Sequence, residues 1–434
     1  MTAKPTFEPG LPVTESDTAI DHARLRTGFR ASGVVLMIAL PPLVYYLWIC
    51  ASFYHGALQL PLSWDAARAF WSHVPGPSLT AAAILASWYL LQISLQIMAP
   101  GDWVEGTALR DGSRLRYKMN GAVAWWFTIA LAMGVVATGL VPATLLAEEF
   151  GPLLTLSNLI AFAFSAYLFA LGRARGGDSP TGHVLFDYFL GTTLNPRIGA
   201  FDIKLFFESR PGLMLWVLID LSLAALQYER HRVLTTPMIL VCLFQAFYVA
   251  DYFHNERRIL STMDIVHERF GWMLCWGDTV WVPFTYSLQA MYLVDHLHEL
   301  PWWGTAGIVA LNALGYFVFR SVNSQKDRFR RDPAATVWGR RPDFIRTRRG
   351  TLLLTSGWWG LARHVNYLGD LMMALAWCLP CLFAHPLPYF YVVYMTSLLL
   401  HRQWRDDQMC LAKYGADWIA YREKVPWRII PRVY

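Results

Sequence analysis

The sequence predicts an all-α polytopic membrane protein, and three observations carry that expectation. Apolar runs near 20 residues recur along the whole chain, which is the length a helix needs to cross the hydrocarbon core. Only 16% of the 434 residues are charged, against about 25% in a soluble domain. The 20 Trp and 20 Tyr suit aromatic belts at the membrane interfaces.

Residues 1–30 read as a polar tail. They contain acids and no apolar core, so they are unlike a signal peptide. Membrane helices are predicted near 32–54, 79–99, 122–146, 153–172, 211–227, 234–254, 275–293, 303–320, 368–385 and 387–400, about ten in all. Little more than Pro386 and Pro388 separates the last two, which predicts a tight hairpin. Residues 31–434 are expected to form one membrane domain.

Loop charge orients the helices. The loop after the second carries Arg110, Arg114, Arg116 and Lys118, and the one after the fourth Arg173, Arg175, Arg197, Lys204 and Arg210. Arg257, Arg258 and Arg269 follow the sixth, and ten Lys/Arg lie from Arg320 to Arg349 after the eighth. The loops after the third, seventh and ninth have none, and Arg230 and Arg232 after the fifth break the pattern. The even loops and both termini are therefore expected in the cytoplasm.

Several function classes lack support. No GxGxxG follows a strand and there is no GxxxxGK[ST], so a Rossmann domain or P-loop is unsupported. Cys378 and Cys381 form a CxxC inside LAWCLPCLF, where packing is the better reading than a redox or zinc site. His254, His267 and Glu268 fit no HExxH spacing, so no metal is expected. Nothing points to a nucleic acid or an obligate protein partner; membrane lipid is the expected surrounding.

Polar groups at membrane depth are costly unless they serve a site, and they gather in the C-terminal third. In NSQKDRFRRD (323–332), Lys326 and Arg330 are four apart and share a helix face. Arg binds phosphate in a bidentate way, but a positive-inside loop on anionic headgroups explains the same charge equally well. Arg363, His364, Asn366 and Tyr367 form a cluster before an apolar run, and Arg402, Asp406, Met409 or Cys410, and Lys413 fall on one helix face. Between the sixth and seventh helices, Asp251, Glu256, Asp264, Glu268 and Asp278 read as ionisable groups facing a cavity, with Tyr248 one turn before Asp251. The stretch 106–121 reads as a structured loop and 194–212 as an interfacial helix entering the membrane at Pro211.

Four motifs, in order, resemble the sterol reductase family, which includes Δ14- and Δ7-sterol reductases and the lamin B receptor membrane domain. They are DYFHNERRILSTMDIVHERFGWMLCWGDTVWVPFTYSLQAMYL, NSQKDRFRRD, LLLTSGWWGLARHVNYLGDL and HRQWRDDQMCLAKYGADWIAYREKVPWRIIP. The resemblance implies NADPH-dependent reduction of a ring carbon–carbon double bond in a sterol, with the cofactor pocket mainly in 234–434. By that resemblance Lys326 and Arg330 hold the 2′-phosphate and adenosine end, and Leu354, Trp359, Asn366 and Tyr367 line the cofactor. Arg402, Asp406, Cys410, Lys413, Tyr414 and Tyr421 complete the pocket.

An isolated alkene must be protonated before it accepts hydride, so an acid is needed, and an apolar site keeps a carboxyl protonated. Asp406 and Tyr248 are the candidates. In the empty site, Arg402 and Lys413 are expected to favour ionised Asp406. The 14,15 bond is favoured on overall likeness, with the 7,8 bond as alternative. The isoprenylcysteine methyltransferases resemble the chain more weakly, through Arg363, His364 and Tyr367, so an S-adenosylmethionine-dependent methyltransferase is the second enzyme reading. A non-catalytic sterol-binding protein is the third reading. A bacterial inner membrane and an endoplasmic reticulum both remain open.

Overall fold

The computed structural model describes residues 16–109, 112–176 and 182–434, with side chains from residue 33 onward. Residues 1–15 of the expected tail, and Arg110 of the first basic loop, lie outside the described residues. The rest of the tail is not a loose segment: α1 spans Ser16–Phe53.

The chain is mostly helical, and among the described residues six helices are long and apolar enough to cross a membrane: Gly33–Phe53, Leu79–Met98, Phe150–Ala174, Ile203–His231, Thr236–His254 and Trp302–Arg331. Two shorter apolar helices cover Gly121–Ala137 and Val365–Cys381. The few strands are two-stranded antiparallel hairpins. By contacts the chain divides into two compact units, one of residues 29–300 with 380–388, the other containing 301–379 and 389–434.

In the first unit, α2 (Leu79–Met98) leads into a hairpin of β1 (Asp102–Ala108) and β2 (Arg114–Met119). The structured loop expected at 106–121 is this hairpin. After α3 (Gly121–Ala137) and α4 (Phe150–Ala174), a hairpin of β3 (Arg197–Ile198) and β4 (Phe201–Asp202) precedes α5 (Ile203–Ser209) and α6 (Pro211–His231). The interfacial helix expected at 194–212 is thus a hairpin plus a buried helix. Lys204 is fully buried and donates to the carbonyls of Asp264, Ile265 and Glu268 at 2.7–3.1 Å. Arg210 is equally buried and meets Asn120 and Glu256, while Glu256 also accepts from Gly121 N–H at 2.8 Å. These charges survive burial because each has partners.

After α7 (Thr236–His254), the helix expected over 275–293 is broken into short α-helical pieces and a π-helical turn at Gly277–Trp281. Pro283 removes a backbone donor, and Thr285 and Ser287 donate to the carbonyls four residues back at 2.7 and 2.8 Å. The last piece, α8 (Leu288–Asp295), places Asp295 against Arg230 at 2.9 Å. Arg230, an exception to the charge pattern, is therefore paired.

The second unit is built on α9 (Trp302–Arg331). This helix runs past the expected end at 320 and so carries Lys326 and Arg330. A hairpin of β5 (Phe344–Arg346) and β6 (Leu352–Leu354) follows, then α10 (Val365–Cys378), α11 (Phe390–Tyr414) and α12 (Ala416–Lys424). The α9–α10 crossing is backbone on backbone. A Cβ on Gly369 would lie 2.6 Å from Phe319 N and 2.7 Å from Gly315 O, and one on Gly315 would lie 2.9 Å from Gly369 O. Small residues permit this close packing in a membrane. Trp377 Nε1 donates to Asn312 at 3.1 Å across the same pair. Beyond the crossing, Val318, Val322, Leu354, Trp359, Ala362 and Val365 form a shared core.

Gly369→Val should destabilise the protein by about 1–3 kcal/mol, the usual range for overpacking. Gly307→Ala, on the same helix with no atom within 4 Å of the added methyl, should be neutral. Thermal unfolding of the purified variants checks the contrast.

Candidate active site

The site begins where α9 meets the loop TSGWWG. Gly357 has φ +62° and an added Cβ would lie 2.5 Å from the Gln325 side chain and from Val337, so only glycine fits this turn. The chain then folds onto the last turns of α9. Trp358 N–H donates to Gln325 Oε1 at 2.9 Å, Trp358 Nε1 to Ser321 Oγ at 2.8 Å, and Trp359 Nε1 to Val322 O at 3.1 Å. This fixes the Trp359 ring, and the Lys326 ammonium lies 4.2 Å from its centroid, a cation–π contact. Tyr421, buried on α12, donates to Trp359 O at 3.4 Å.

The next residues are tied to the C-terminal segment. Arg363 N–H donates to Trp427 O at 3.0 Å and His364 N–H to Arg428 O at 2.7 Å. His364 stacks on Tyr367 with centroids 4.9 Å apart, and its Nε2 is 3.6 Å from Asp406 Oδ2. The neighbouring acids of α11 then divide their work. Asp406 faces His364 and the Cys410 thiol, 3.9 Å away. Asp407 is buried, accepts from Trp418 Nε1 at 3.1 Å, and lies 3.9 Å from Arg363 and 3.5 Å from Arg422.

Burial raises the Asp406 carboxyl above the usual range, and this outweighs the opposing charge of Lys326 and the weaker one of Arg330. That corrects the expectation of an ionised group held by Arg402 and Lys413. The cations acting on Asp406 come from α9, and the loss of water decides the direction. Arg402 acts on Asp370 instead, and Lys413 is exposed, with its ammonium 5.1 Å from the Tyr414 ring. Burial pushes the Cys410 thiol up to about 12.

The structure therefore brings Lys326, Trp359, Asp406, Cys410 and Tyr421 together, with Leu354 buried in the core beside Trp359. Arg330 lies at the exposed end of α9, and Tyr414 packs against the cluster of Trp418, Tyr421 and Val425. Asn366 Oδ1 and Thr355 Oγ1 are buried with no hydrogen-bond partner among the described residues. Tyr248 is half-buried on α7 and belongs to the other unit. Sequence reasoning named His364 only within the cluster before the apolar run, with no role in the cofactor pocket, and passed over Asp407. The signals for them were the Arg-His pair before Asn366 and the doubled acid Asp406–Asp407. Cations, a carboxyl held toward its neutral form, stacked aromatic rings and unsatisfied polar atoms suit an anionic, hydrogen-bonding ligand.

These features define an integral membrane protein with a polar pocket built from its C-terminal helices. The family model "Ergosterol biosynthesis ERG4/ERG24 family" matches residues 22–434, and the chain belongs to that sterol reductase family. It is 56% identical to the Delta(14)-sterol reductase of Methylotuvimicrobium alcaliphilum over 97% of this chain and 99% of the relative. It is 44% identical to the mouse (Mus musculus) Delta(14)-sterol reductase TM7SF2, covering 95% and 98%. The 7-dehydrocholesterol reductase of Danio rerio is 39% identical, with 94% and 92% covered.

His364 gives the pocket a pH signature. Burial, with Lys326 and Arg363 nearby, lowers its pKa to about 3, against 6.5 ordinarily. The folded state thus holds a neutral ring, and its contribution is complete above about pH 6.5 and is lost as pH falls toward 3. Between those limits the wild type should lose about 1.4 kcal/mol per pH unit relative to His364→Gln. Thermal melts from pH 7 to pH 5 measure the difference.

Proposed function

We propose that this chain reduces the 14,15 double bond of a sterol biosynthesis intermediate, using NADPH, by protonation followed by hydride transfer. Its family and the Delta(14)-sterol reductase relatives at 44–56% identity support the substrate class. The match to a 7-dehydrocholesterol reductase at 39% keeps the 7,8 bond as the second reading. Family membership displaces the methyltransferase reading. The observation that carries the chemistry is Asp406, a carboxyl raised by burial beside Lys326, His364 and Cys410.

The residues present fit the cofactor. Lys326 and Arg330 offer charge to a 2′-phosphate and adenosine end, and the buried, unpartnered Asn366 Oδ1 and Thr355 Oγ1 await hydrogen-bond donors. Trp359 and Tyr367 present ring faces, and Arg402, Lys413, Tyr414 and Tyr421 complete the lining. NADPH supplies a hydride when bound. Asp406 supplies the proton, because burial favours its neutral form, and gives it to one alkene carbon. The tertiary cation formed on the sterol is the hydride acceptor, and aromatic faces stabilise it until reduction.

Purified protein should convert a 14,15-unsaturated sterol, and not a 7,8-unsaturated one, to the product two hydrogens heavier when given NADPH. Asp406→Asn should still bind NADPH while turnover falls about 100-fold or more. Normal turnover in that variant excludes Asp406 as donor. Lost cofactor binding makes it a cofactor ligand and leaves Tyr248, tested as Tyr248→Phe.

The reading includes ten membrane crossings with both termini and the even loops in the cytoplasm, in a bacterial inner membrane or an endoplasmic reticulum. Pairing of Arg230 with Asp295 supports it, since one of the exceptional charges is neutralised. A cysteine introduced as Ala335→Cys should resist a membrane-impermeant thiol reagent in intact cells and react after permeabilisation. Labelling without permeabilisation reverses the orientation.

A further inference from the structure

Consecutive residues of the Arg363–His364 pair take different partners. His364 faces Asp406 in the pocket described above, whereas Arg363 faces Asp407 and the C-terminal segment. On that second side lies a cavity of about 450 Å³, lined by Arg363, Ile419, Arg422, Glu423, Pro426 and Arg428. Three guanidinium groups converge there, and the proposed reaction uses none of them.

Their hydrogen bonding is incomplete. Arg363 is 4% exposed. One terminal nitrogen donates to Val425 O at 3.3 Å and the other is 3.9 Å from Asp407, while Nε has no partner among the described residues. Arg422 shares the same carboxylate, at 3.5 Å, and keeps a side chain 39% exposed. Arg428 donates from one nitrogen to Tyr434 Oη at 2.9 Å and stacks over that ring. Among side chains, two carboxylates, Asp407 and Glu423, thus stand against three cations, while Tyr434 O accepts from the backbone N–H of Arg428 and Ile429 at 2.7 and 3.0 Å. A guanidinium carries five N–H donors in a fixed fork that matches phosphate oxygens, and a buried donor without a partner is a standing demand for one. Ile419 and Pro426 give the cavity an apolar wall, so the wanted ligand is anionic at one end and apolar beside it.

We propose that this cavity is a second anion site, separate from the cofactor pocket, which takes a phosphate group through Arg363, Arg422 and Arg428. Two sources carry that chemistry, an anionic phospholipid headgroup and a free phosphate.

Full-length protein in neutral detergent, titrated with phosphatidylglycerol, phosphatidylcholine or inorganic phosphate and read by native mass spectrometry, tests it. Phosphatidylglycerol should bind about tenfold or more tightly than phosphatidylcholine, and Arg428→Gln should weaken it about tenfold, the loss of one charge-assisted contact. Glu423→Gln, which removes the opposing carboxylate at the rim, should tighten it. NADPH affinity should stay unchanged in both variants. Inorganic phosphate binding as tightly as phosphatidylglycerol identifies a soluble phosphate as ligand, and weaker binding identifies the lipid. Equal binding of the two lipids together with no binding of phosphate overturns the site, as does anion affinity that neither variant alters. A fall in NADPH affinity in Arg428→Gln shows that the cavity is an arm of the cofactor pocket and overturns the separation.

Discussion

The C-terminal unit depends on one buried carboxylate. Asp407 collects the indole N–H of Trp418 and two guanidinium groups, Arg363 before α10 and Arg422 on α12. Removing a partner from such an arrangement leaves an uncompensated charge, so the loss exceeds the worth of any one bond. What the arrangement secures is placement. With Asp407 held, the adjacent Asp406 is aimed at His364 and Lys326. Two adjacent acids thus face different surroundings, Asp407 toward Arg363, Arg422 and Trp418 and Asp406 toward His364 and Cys410, separated only by the turn of the helix.

Burial is the second constraint. Asp406 and His364 are both held toward their neutral forms, and in each the removal of water is the largest cause. Beside Asp406 the Lys326 charge pulls the other way, toward the ionised form, so the upward shift is what remains after the two oppose each other. Asp406 and the α9 cations Lys326 and Arg330 are thus parts of one electrostatic balance.

Much of this was legible in the residues. Among the described residues, six of the ten apolar stretches reappear as helices long enough to cross a membrane, and the four-residue spacing of Lys326 and Arg330 places both on α9. The i, i+4 spacing of Asp406 and Cys410 reappears as a direct contact. Three features were hidden. The break at 277–281 depends on a backbone bulge that an apolar run does not announce. The role of Lys204 depends on three carbonyls some sixty residues away. The direction of the Asp406 shift was misjudged because the charges on its own helix were counted while the water removed by neighbouring elements was not. Periodicity reads neighbours along a chain, whereas desolvation is set by what folds over it.

The contact between Gly315 and Gly369 has a consequence for motion. Helices separated by long side chains can slide by letting those side chains change rotamer. Here carbonyl and amide groups meet directly, and the bond from Trp377 to Asn312 joins the same two helices farther along. Axial sliding would drive Cβ-bearing residues into the gap that the glycines leave, so the two helices keep a fixed register. Lys326 rises from one and Asn366 opens the other. The pair therefore acts as a ruler of constant length: a ligand that spans it must match the spacing, and one shorter by a few ångströms cannot be accommodated by the helices drawing together.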